Sequence, residues 1–272
     1  KTIWLYLGTV TGSSIVIPGN DWGAWDATRR PWFLRSVSML ERRPLKPFAI
    51  ISTPYIDAGG AGLTATLSTC IWNKVKHIND IDRKHQIFGV VGFDFLSGRQ
   101  NVLGSLTNDN CGNKKIFCTL IDTFGSIVFN NDFSKATDDG FLNNINIHDM
   151  FIGVLEPDIA LSLIEANLLV LQPRQLSADS SKLTSNYLLN IDKIRKNGGV
   201  ASGTIHSFKC LLNPGGSHSL KWYVSYVEAS NTALVVVDGY VRQNGTCTDI
   251  LNIPPSSENN IDRKCFSSFD KL

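Results

Sequence analysis

The sequence predicts an α+β protein in which two successive lobes each contain a mainly antiparallel sheet flanked by helices. Short apolar stretches of strand length alternate with turn-forming residues along most of the 272 residues. Two stretches, one in each half, have the composition and the start signals of a helix. A cluster of turn formers at 107–113 separates the halves, so we expect lobes at 1–107 and 114–245 and a tail at 246–272.

In the first lobe, the pattern predicts a sheet with one helix inserted into it. Residues 3–18 read as two short strands joined by the turn Thr11-Gly12, and 28–40 read as a helix with Pro31 in its first turn. Further strands are predicted at 48–55, 63–71 and 87–95. This order of elements has a PAS-like outline.

In the second lobe, 115–129 predict a strand, a turn and a strand, and 156–170 predict a helix opened by Pro157. The Ser-rich stretch 175–190 is expected to be a surface excursion. A hairpin follows, with strands at 220–227 and 232–238. The second lobe is therefore another mixed sheet.

Composition excludes several classes of protein. A hydrophobic content of 43%, a charged content of 18% and a net charge of +2 are typical of a globular domain and argue against a nucleic-acid partner. No apolar run is long enough to cross a bilayer. The sequence begins at Lys1 without a Met or a signal-peptide pattern, and we expect it to be part of a larger protein.

The cysteines favour an oxidising compartment. There are six, widely spread and without a C-x-x-C pair, so disulfides are expected and the spacing of a zinc site is absent. Their pairing stays open at this stage. A sequon at Asn244 predicts glycosylation, and together these features predict an extracellular location.

One set of residues points to a small-molecule site. It combines an arginine, two carboxylates and four aromatic residues: Trp25, Arg30, Trp32, Phe33, Tyr55, Asp57 and Asp94. A guanidinium can donate two parallel hydrogen bonds to a carboxylate, while carboxylates and aromatic faces suit an ammonium. The set therefore has the groups that an amino acid requires of its binding site.

The amino-acid sequences of these motifs resemble those of a known family. The segments Arg29-Arg-Pro-Trp-Phe33, Thr53-Pro-Tyr-Ile-Asp-Ala-Gly-Gly-Ala-Gly62 and Val90-Val-Gly-Phe-Asp-Phe95 resemble the amino-acid-binding motif of the double-Cache (dCache) extracellular sensor domains. They are similar above all to the alpha-2-delta auxiliary subunits of voltage-gated calcium channels and their Cache-containing relatives. The resemblance covers roughly the first hundred residues and implies tandem PAS-like Cache lobes.

The resemblance also implies a role for each residue. Arg30 and the main chain near Trp32 would hold a ligand carboxylate, Asp57 and Asp94 with Tyr55 would hold its ammonium, and Trp25 and Phe33 would wall the pocket. Trp25 and Phe33 depart from the family, whose amino-acid sensors usually carry tyrosine at both positions, so each change removes or relocates a hydroxyl group. The implied partners are an amino acid or amine-bearing small molecule and a membrane protein such as a cation channel.

Other interpretations remain open. Trp32 and Arg30 can serve the core and a local ion pair alone, and Arg29 and Asp26 are expected to be surface charges. A protein-interaction module with a vestigial pocket is the main rival. A hydrolase that uses Asp57 and Asp94 as acid and base is a second rival, but no nucleophile or metal pattern accompanies them, so no enzyme activity, metal or cofactor is expected.

Overall fold

A computed structural model of the chain describes residues 2–19, 26–42, 49–57, 60–72, 87–96, 111, 116–130, 150–171, 187–206, 211–212, 219–239 and 241–242. Three predicted features lie outside these residues, namely the pocket residue Trp25, the glycosylation site Asn244 and the tail 246–272. Most of the predicted lobe boundary at 107–114 also lies outside them, so the boundary stays a prediction. Within the described ranges, no helix is both long and apolar enough to cross a membrane.

The first lobe is an antiparallel sheet with a helix inserted between its second and third strands. Its strands are β1 (Thr2–Thr9), β2 (Ser14–Ile17), β3 (Ile50–Ile51), β4 (Tyr55–Ile56), β5 (Leu63–Trp72) and β6 (Ile87–Leu96). They are ordered β2-β1-β6-β5-β3, with β4 also paired to β5. Between β2 and β3, a 3₁₀ turn (Ala27–Arg29) leads into helix α1 (Pro31–Arg42).

The second lobe contains another antiparallel sheet, and its described residues include three short helices that cover it. Its main strands are β7 (Ile116–Asp122), β8 (Ile127–Asn130), β11 (Val200–Ile205), β13 (Leu220–Tyr226) and β14 (Thr232–Asp238), ordered β11-β13-β14-β7-β8. Two small strand pairs join β9 (Leu169–Leu171) to β10 (Tyr187–Leu189) and β12 (Leu211–Leu212) to β15 (Val241–Arg242). The helices are α2 (Ile152–Leu155), α3 (Pro157–Glu165) and α4 (Ile191–Lys196). The α+β class with two mainly antiparallel sheets is confirmed.

Two local predictions are wrong. The helix predicted at 156–170 ends at Glu165, because Asn167 adopts a φ of 51° and turns the chain, after which Leu169–Leu171 pairs with β10. The surface excursion predicted at 175–190 ends in that same strand, where Tyr187 and Leu189 are buried. In both places tertiary burial of apolar side chains overrides the local pattern.

The two faces of the first sheet have different neighbours. Alternation along the strands places Tyr6 and Val90 on the face that α1 covers with Trp32 and Phe33. The opposite face packs against the second sheet through a cluster formed by Ala65, Phe95, Leu120, Val128 and Phe129. The other face of the second sheet carries the largest core, beneath α2, α3 and α4.

The cysteines fit the predicted oxidising compartment in part. Cys111 and Cys118 form a disulfide, whereas Cys70 is a free thiol whose burial raises its pKa to about 12. Disulfides persist mainly in secreted and extracellular chains. Cys210, Cys247 and Cys265 lie outside the described residues.

Candidate functional site

The candidate site lies on the face of the first sheet that α1 covers. Asp94 of β6 is directly opposite Thr66 of β5, and Tyr6 of β1 is opposite Gly92, two residues before Asp94. Side chains two apart on a strand share a face, so these three point to the same side. Tyr55 joins them from β4, which pairs with the start of β5.

Asp94 is the centre of this group. Its side chain is fully buried and accepts three hydroxyl hydrogen bonds, from Tyr6 at 2.5 Å, Thr66 at 2.7 Å and Tyr55 at 2.8 Å. Burial raises the pKa of Asp94, and the charge of Asp57 adds to that rise, while the three hydroxyl bonds oppose it. The carboxylate therefore keeps its place in the core through donors that carry no charge.

The two tyrosines act as neutral donors at any ordinary pH. Burial raises the pKa of Tyr6, and the hydrogen bond to Asp94 raises it further. Burial likewise raises the pKa of Tyr55, with the charge of Asp94 as the next cause. Since both hydroxyls stay protonated, each continues to offer a proton to the Asp94 carboxylate.

Asp57 brings a second carboxylate to the same place. It follows β4 directly and is only 5% exposed, and its side chain accepts a hydrogen bond from Ala61 N at 3.0 Å. In the part of the chain that the structure describes, no ion pair joins Asp57 or Asp94 to a cationic side chain. Among the described residues, two buried carboxylates thus lie in the same part of the fold without a side chain of opposite charge paired to either of them.

The start of α1 is built from an exposed, capped turn. Asp26 accepts bonds from Thr28 N at 2.9 Å and Thr28 Oγ1 at 2.6 Å, which lower its pKa, and it pairs with Arg29 at 3.3 Å. Asp26 and Arg29 are surface charges, as expected. Arg30 is exposed, and its carbonyl accepts the hydrogen bond of Leu34 N at 3.0 Å as Pro31 opens the helix.

The side chains of Trp32 and Phe33 in α1 are buried between the helix and the sheet. The Trp32 ring stacks on Tyr6 at a centroid distance of 5.5 Å, and Phe33 meets Trp32 edge-on at 5.8 Å. Ser68 of β5 donates to the Trp32 carbonyl at 3.5 Å, which ties the first helical turn to the sheet. A continuous series of contacts therefore runs from Trp32 through Tyr6 to Asp94.

The structure thus brings together most, but not all, of the residues that the sequence predicted. Trp32, Tyr55 and Asp94 lie in one connected group, and Asp57 lies beside it. Phe33 packs against Trp32, Arg30 is exposed at the helix start, and Trp25 is outside the described residues. The roles of these residues in binding remain predictions.

Sequence reasoning missed two members of the group, Tyr6 and Thr66. Both lie in strands that were predicted, and the signal that identifies them is the alternation of strand faces. Tyr6 is on the same face as Val90, and Thr66 lies opposite Asp94. That signal becomes usable only once the pairing register of β1, β5 and β6 is known.

The chemistry of the group suits an organic cation with N–H donors. Two carboxylates can each accept from an ammonium, and the nearby aromatic rings exclude water around it. Among the described residues, no group of three or more histidine, cysteine, aspartate or glutamate side chains has the arrangement of a metal site.

Comparison with known proteins gives one match among curated sequences. A VWFA and cache domain-containing protein of Drosophila melanogaster is 33% identical over 91 residues, which are 33% of this chain. The resemblance to Cache-containing proteins is confirmed over that stretch. The match spans only 6% of the length of the fly protein, and a scan against protein-family models finds no match.

Several solved structures resemble this chain at low identity. The ligand-binding domain of the Pseudomonas fluorescens chemoreceptor CtaA with L-leucine is 15% identical, with a TM-score of 0.42 over 88% of this chain and 71% of that one. The ligand-binding domain of the Pseudomonas aeruginosa chemoreceptor PctB with L-Arg is 17% identical, with a TM-score of 0.43 over 89% and 72%. Both are described as ligand-binding domains. These identities do not transfer the ligands of those proteins to this chain.

Proposed function

We propose that the chain binds an amino acid, or a related small molecule with an ammonium group, on the helix-covered face of its first sheet. The observation that carries this proposal is the pair of buried carboxylates, Asp57 and Asp94, which have no cationic side-chain partner among the described residues. Burying carboxylates costs several kcal/mol unless a cation or strong donors compensate them. An ammonium ligand supplies that cation.

In this proposal, the two ends of the ligand meet different elements. Asp94 and Asp57 accept from the ammonium, and Tyr55 fixes the Asp94 carboxylate for it. Arg30 and the main chain of the first helical turn near Trp32 hold the ligand carboxylate, because a helix start presents N–H groups that have no partner within the helix. Phe33 walls the aromatic side of the site.

The proposed setting is the cell surface. The similarity to a Cache-containing protein and the disulfide Cys111–Cys118 support an extracellular tandem Cache domain within a larger membrane-associated protein. The motif resemblance to alpha-2-delta subunits supports a channel as the membrane partner. The domain then performs no catalysis, and binding reports or stabilises a state of that assembly.

Calorimetry with the twenty amino acids and a set of small amines tests the proposal. We expect one or more of these compounds to bind, and we expect Asp94→Asn and Arg30→Ala each to weaken binding by about 10- to 100-fold, since each removes charge-assisted hydrogen bonds. Arg30→Lys should also weaken binding, because a point charge cannot reproduce the planar fork.

Arg29→Ala is the matched control, since Arg29 is exposed, adjacent to Arg30 and already paired with Asp26. Its affinity should equal that of the unmodified protein. Equal losses of affinity in Arg29→Ala and Arg30→Ala would mean that Arg30 acts only through the overall positive charge and not through a specific contact with the ligand. The absence of heat with every compound would contradict the proposed function.

A protein-interaction module with a vestigial pocket is the second candidate, and one observation favours it. Leu5, Ile15 and Ile17 are 40%, 57% and 55% exposed, and their register places them together on the outer part of the first sheet, on the face away from α1. Exposed apolar patches often mark protein contacts. Retained partner binding in a protein that binds none of the compounds would favour this alternative.

A further inference from the structure

Helix α1 belongs to the candidate site and to the contact between the lobes at the same time. Its first turn carries Trp32, which stacks on Tyr6, the residue that donates to Asp94. One turn later, Arg35 leaves the first lobe and forms an ion pair with Asp122 of the second lobe. Trp32 and Arg35 are separated by about 4.5 Å along the helix axis at 1.5 Å per residue, so the two contacts cannot shift independently.

The Asp122 side chain connects Arg35 to a tight turn in the second lobe. Its Oδ2 contacts the guanidinium of Arg35, and its Oδ1 accepts from Phe124 N at 2.8 Å and Ser126 N at 2.9 Å. Asp122 is fully buried, whereas the Arg35 side chain is 15% exposed. One carboxylate thus holds both the helix of the first lobe and the turn between β7 and β8.

Two further contacts surround this ion pair. The Arg35 guanidinium lies over the Phe124 ring, 4.0 Å from its centroid, and Thr123 Oγ1 lies 3.5 Å from the sulfur of Met39, one turn further along α1. The 122–126 turn is therefore in contact with the inner surface of α1 over more than one helical turn. The helix cannot tilt without breaking a contact to a buried charge, which is costly.

We infer that Arg35 and Asp122 are positioning residues that couple the candidate site to the second lobe. A change at Asp94 reaches Trp32 through Tyr6, moves the start of α1 and alters the hold of Arg35 on Asp122. The hydrogen bonds of Phe124 N and Ser126 N then report that change, because they share the Asp122 carboxylate. The coupling gives the proposed binding site a route to the second lobe, and in this sense it rests on the proposed function.

The test follows amide hydrogen exchange at Phe124 and Ser126 in the ligand-free protein, so it does not depend on whether any compound binds. Asp94→Asn perturbs the site, and Tyr6→Phe removes one hydroxyl from Asp94 while it keeps the stacked ring. We expect at least one of these changes to alter exchange at the two amides by about fivefold or more, the lower range of coupling between sites. Asp26→Asn, at an exposed carboxylate beside the same helix, is the control and should leave exchange unchanged.

The same measurements in an Arg35→Met background separate coupling from general loosening. Arg35→Met alone should raise exchange at the turn, and adding Asp94→Asn or Tyr6→Phe should then have no further effect on it. Arg35→Lys should restore part of the coupling, because it keeps the charge and loses the fork. Two results would overturn the inference. One is that exchange at Phe124 and Ser126 is unchanged in both Asp94→Asn and Tyr6→Phe, and the other is that it changes by the same factor with and without Arg35.

Discussion

At the scale of single residues, Asp94 shows how the fold tolerates a buried carboxylate. Desolvation favours its protonated form, while hydroxyl donors from three strands favour the anion. The neutral hydroxyls replace some of the hydrogen bonds that the carboxylate would make to water, but they supply no opposite charge. The anion is therefore kept in the core at a cost, and this cost depends on pH.

The pH dependence of unfolding should reveal that cost. Because the pKa of Asp94 is raised in the folded state, its stabilising contribution is present below the ordinary aspartate pKa of about 3.9 and is lost as pH rises through the raised value. We therefore compare the free energy of unfolding of the unmodified protein with that of Asp94→Asn. As pH falls through this window, we expect the value for the unmodified protein to rise relative to that of the variant, by at most about 1.4 kcal/mol per pH unit.

Urea unfolding of both proteins at successive pH values measures the difference. Asp26→Asn is the comparison variant. The pKa of Asp26 is lowered, so the contribution of Asp26 to stability is lost as pH falls, which is the opposite of the pH dependence expected for Asp94. A difference between the unmodified protein and Asp94→Asn that stays constant with pH would contradict the assignment of a raised pKa to Asp94.

At the scale of elements, the placement of α1 depends on a missing side chain. Gly8 of β1 faces the 3₁₀ turn, and a Cβ atom built there would lie 2.6 Å from the Cβ of Ala27 and 3.1 Å from the Trp32 ring. The Cβ atom of Ala27 is fixed directly to the main chain and the residue is fully buried, so this atom cannot move aside without a shift of the main chain. The close approach of the helix start to the sheet therefore requires glycine at position 8.

Gly8→Ala should lower the free energy of unfolding by about 1–3 kcal/mol, the usual cost of overpacking a core. It should also alter the near-ultraviolet circular dichroism, since Trp32 must move. Gly19→Ala is the control, because a Cβ atom at Gly19 has no neighbour within 4 Å among the residues that the structure describes. Equal stability of the two variants in urea unfolding would show that the helix start can move away from the sheet without cost.

Elements were predictable where their pattern is local. The strands β5, β6, β13 and β14 follow apolar stretches bounded by turn formers, and Pro31 and Pro157 mark the helix starts that the sequence predicted. The helix end at Glu165 and the strand Tyr187–Leu189 were not predictable. Both depend on the partner that buries them, and the partner is distant in sequence.

At the scale of the whole molecule, the turn between β13 and β14 binds the first lobe directly. Asn231 is fully buried, and its side-chain amide accepts from Ile51 N at 2.7 Å and donates to Ile51 O at 2.9 Å. Ala49 N adds a hydrogen bond to Ala229 O at 3.0 Å. One side chain thus satisfies the main chain of β3 in place of a neighbouring strand.

Asn231→Ala should lower the free energy of unfolding by about 2–4 kcal/mol, because it leaves a main-chain N–H and a C=O of Ile51 without their partner. Thermal and urea unfolding measure the loss. Asn197→Ala is the control, since Asn197 is exposed at the end of α4 and should change stability little. A loss that is no larger than that of the control would mean that the hydrogen bonds of Asn231 contribute little to the contact between the lobes.

The amino-acid sequence was enough to predict the class of the fold, most of the strands and four residues of the candidate site, since Trp32, Tyr55, Asp57 and Asp94 stand in short motifs that resemble those of a known family. The folded chain was needed to show that Tyr6 and Thr66 join Asp94, and that Arg35 contacts Asp122 while Arg30 lies exposed. The physical reason is strand register and helix rotation. Both are fixed by packing between residues far apart in sequence, and a shift of one position would turn each side chain to another face.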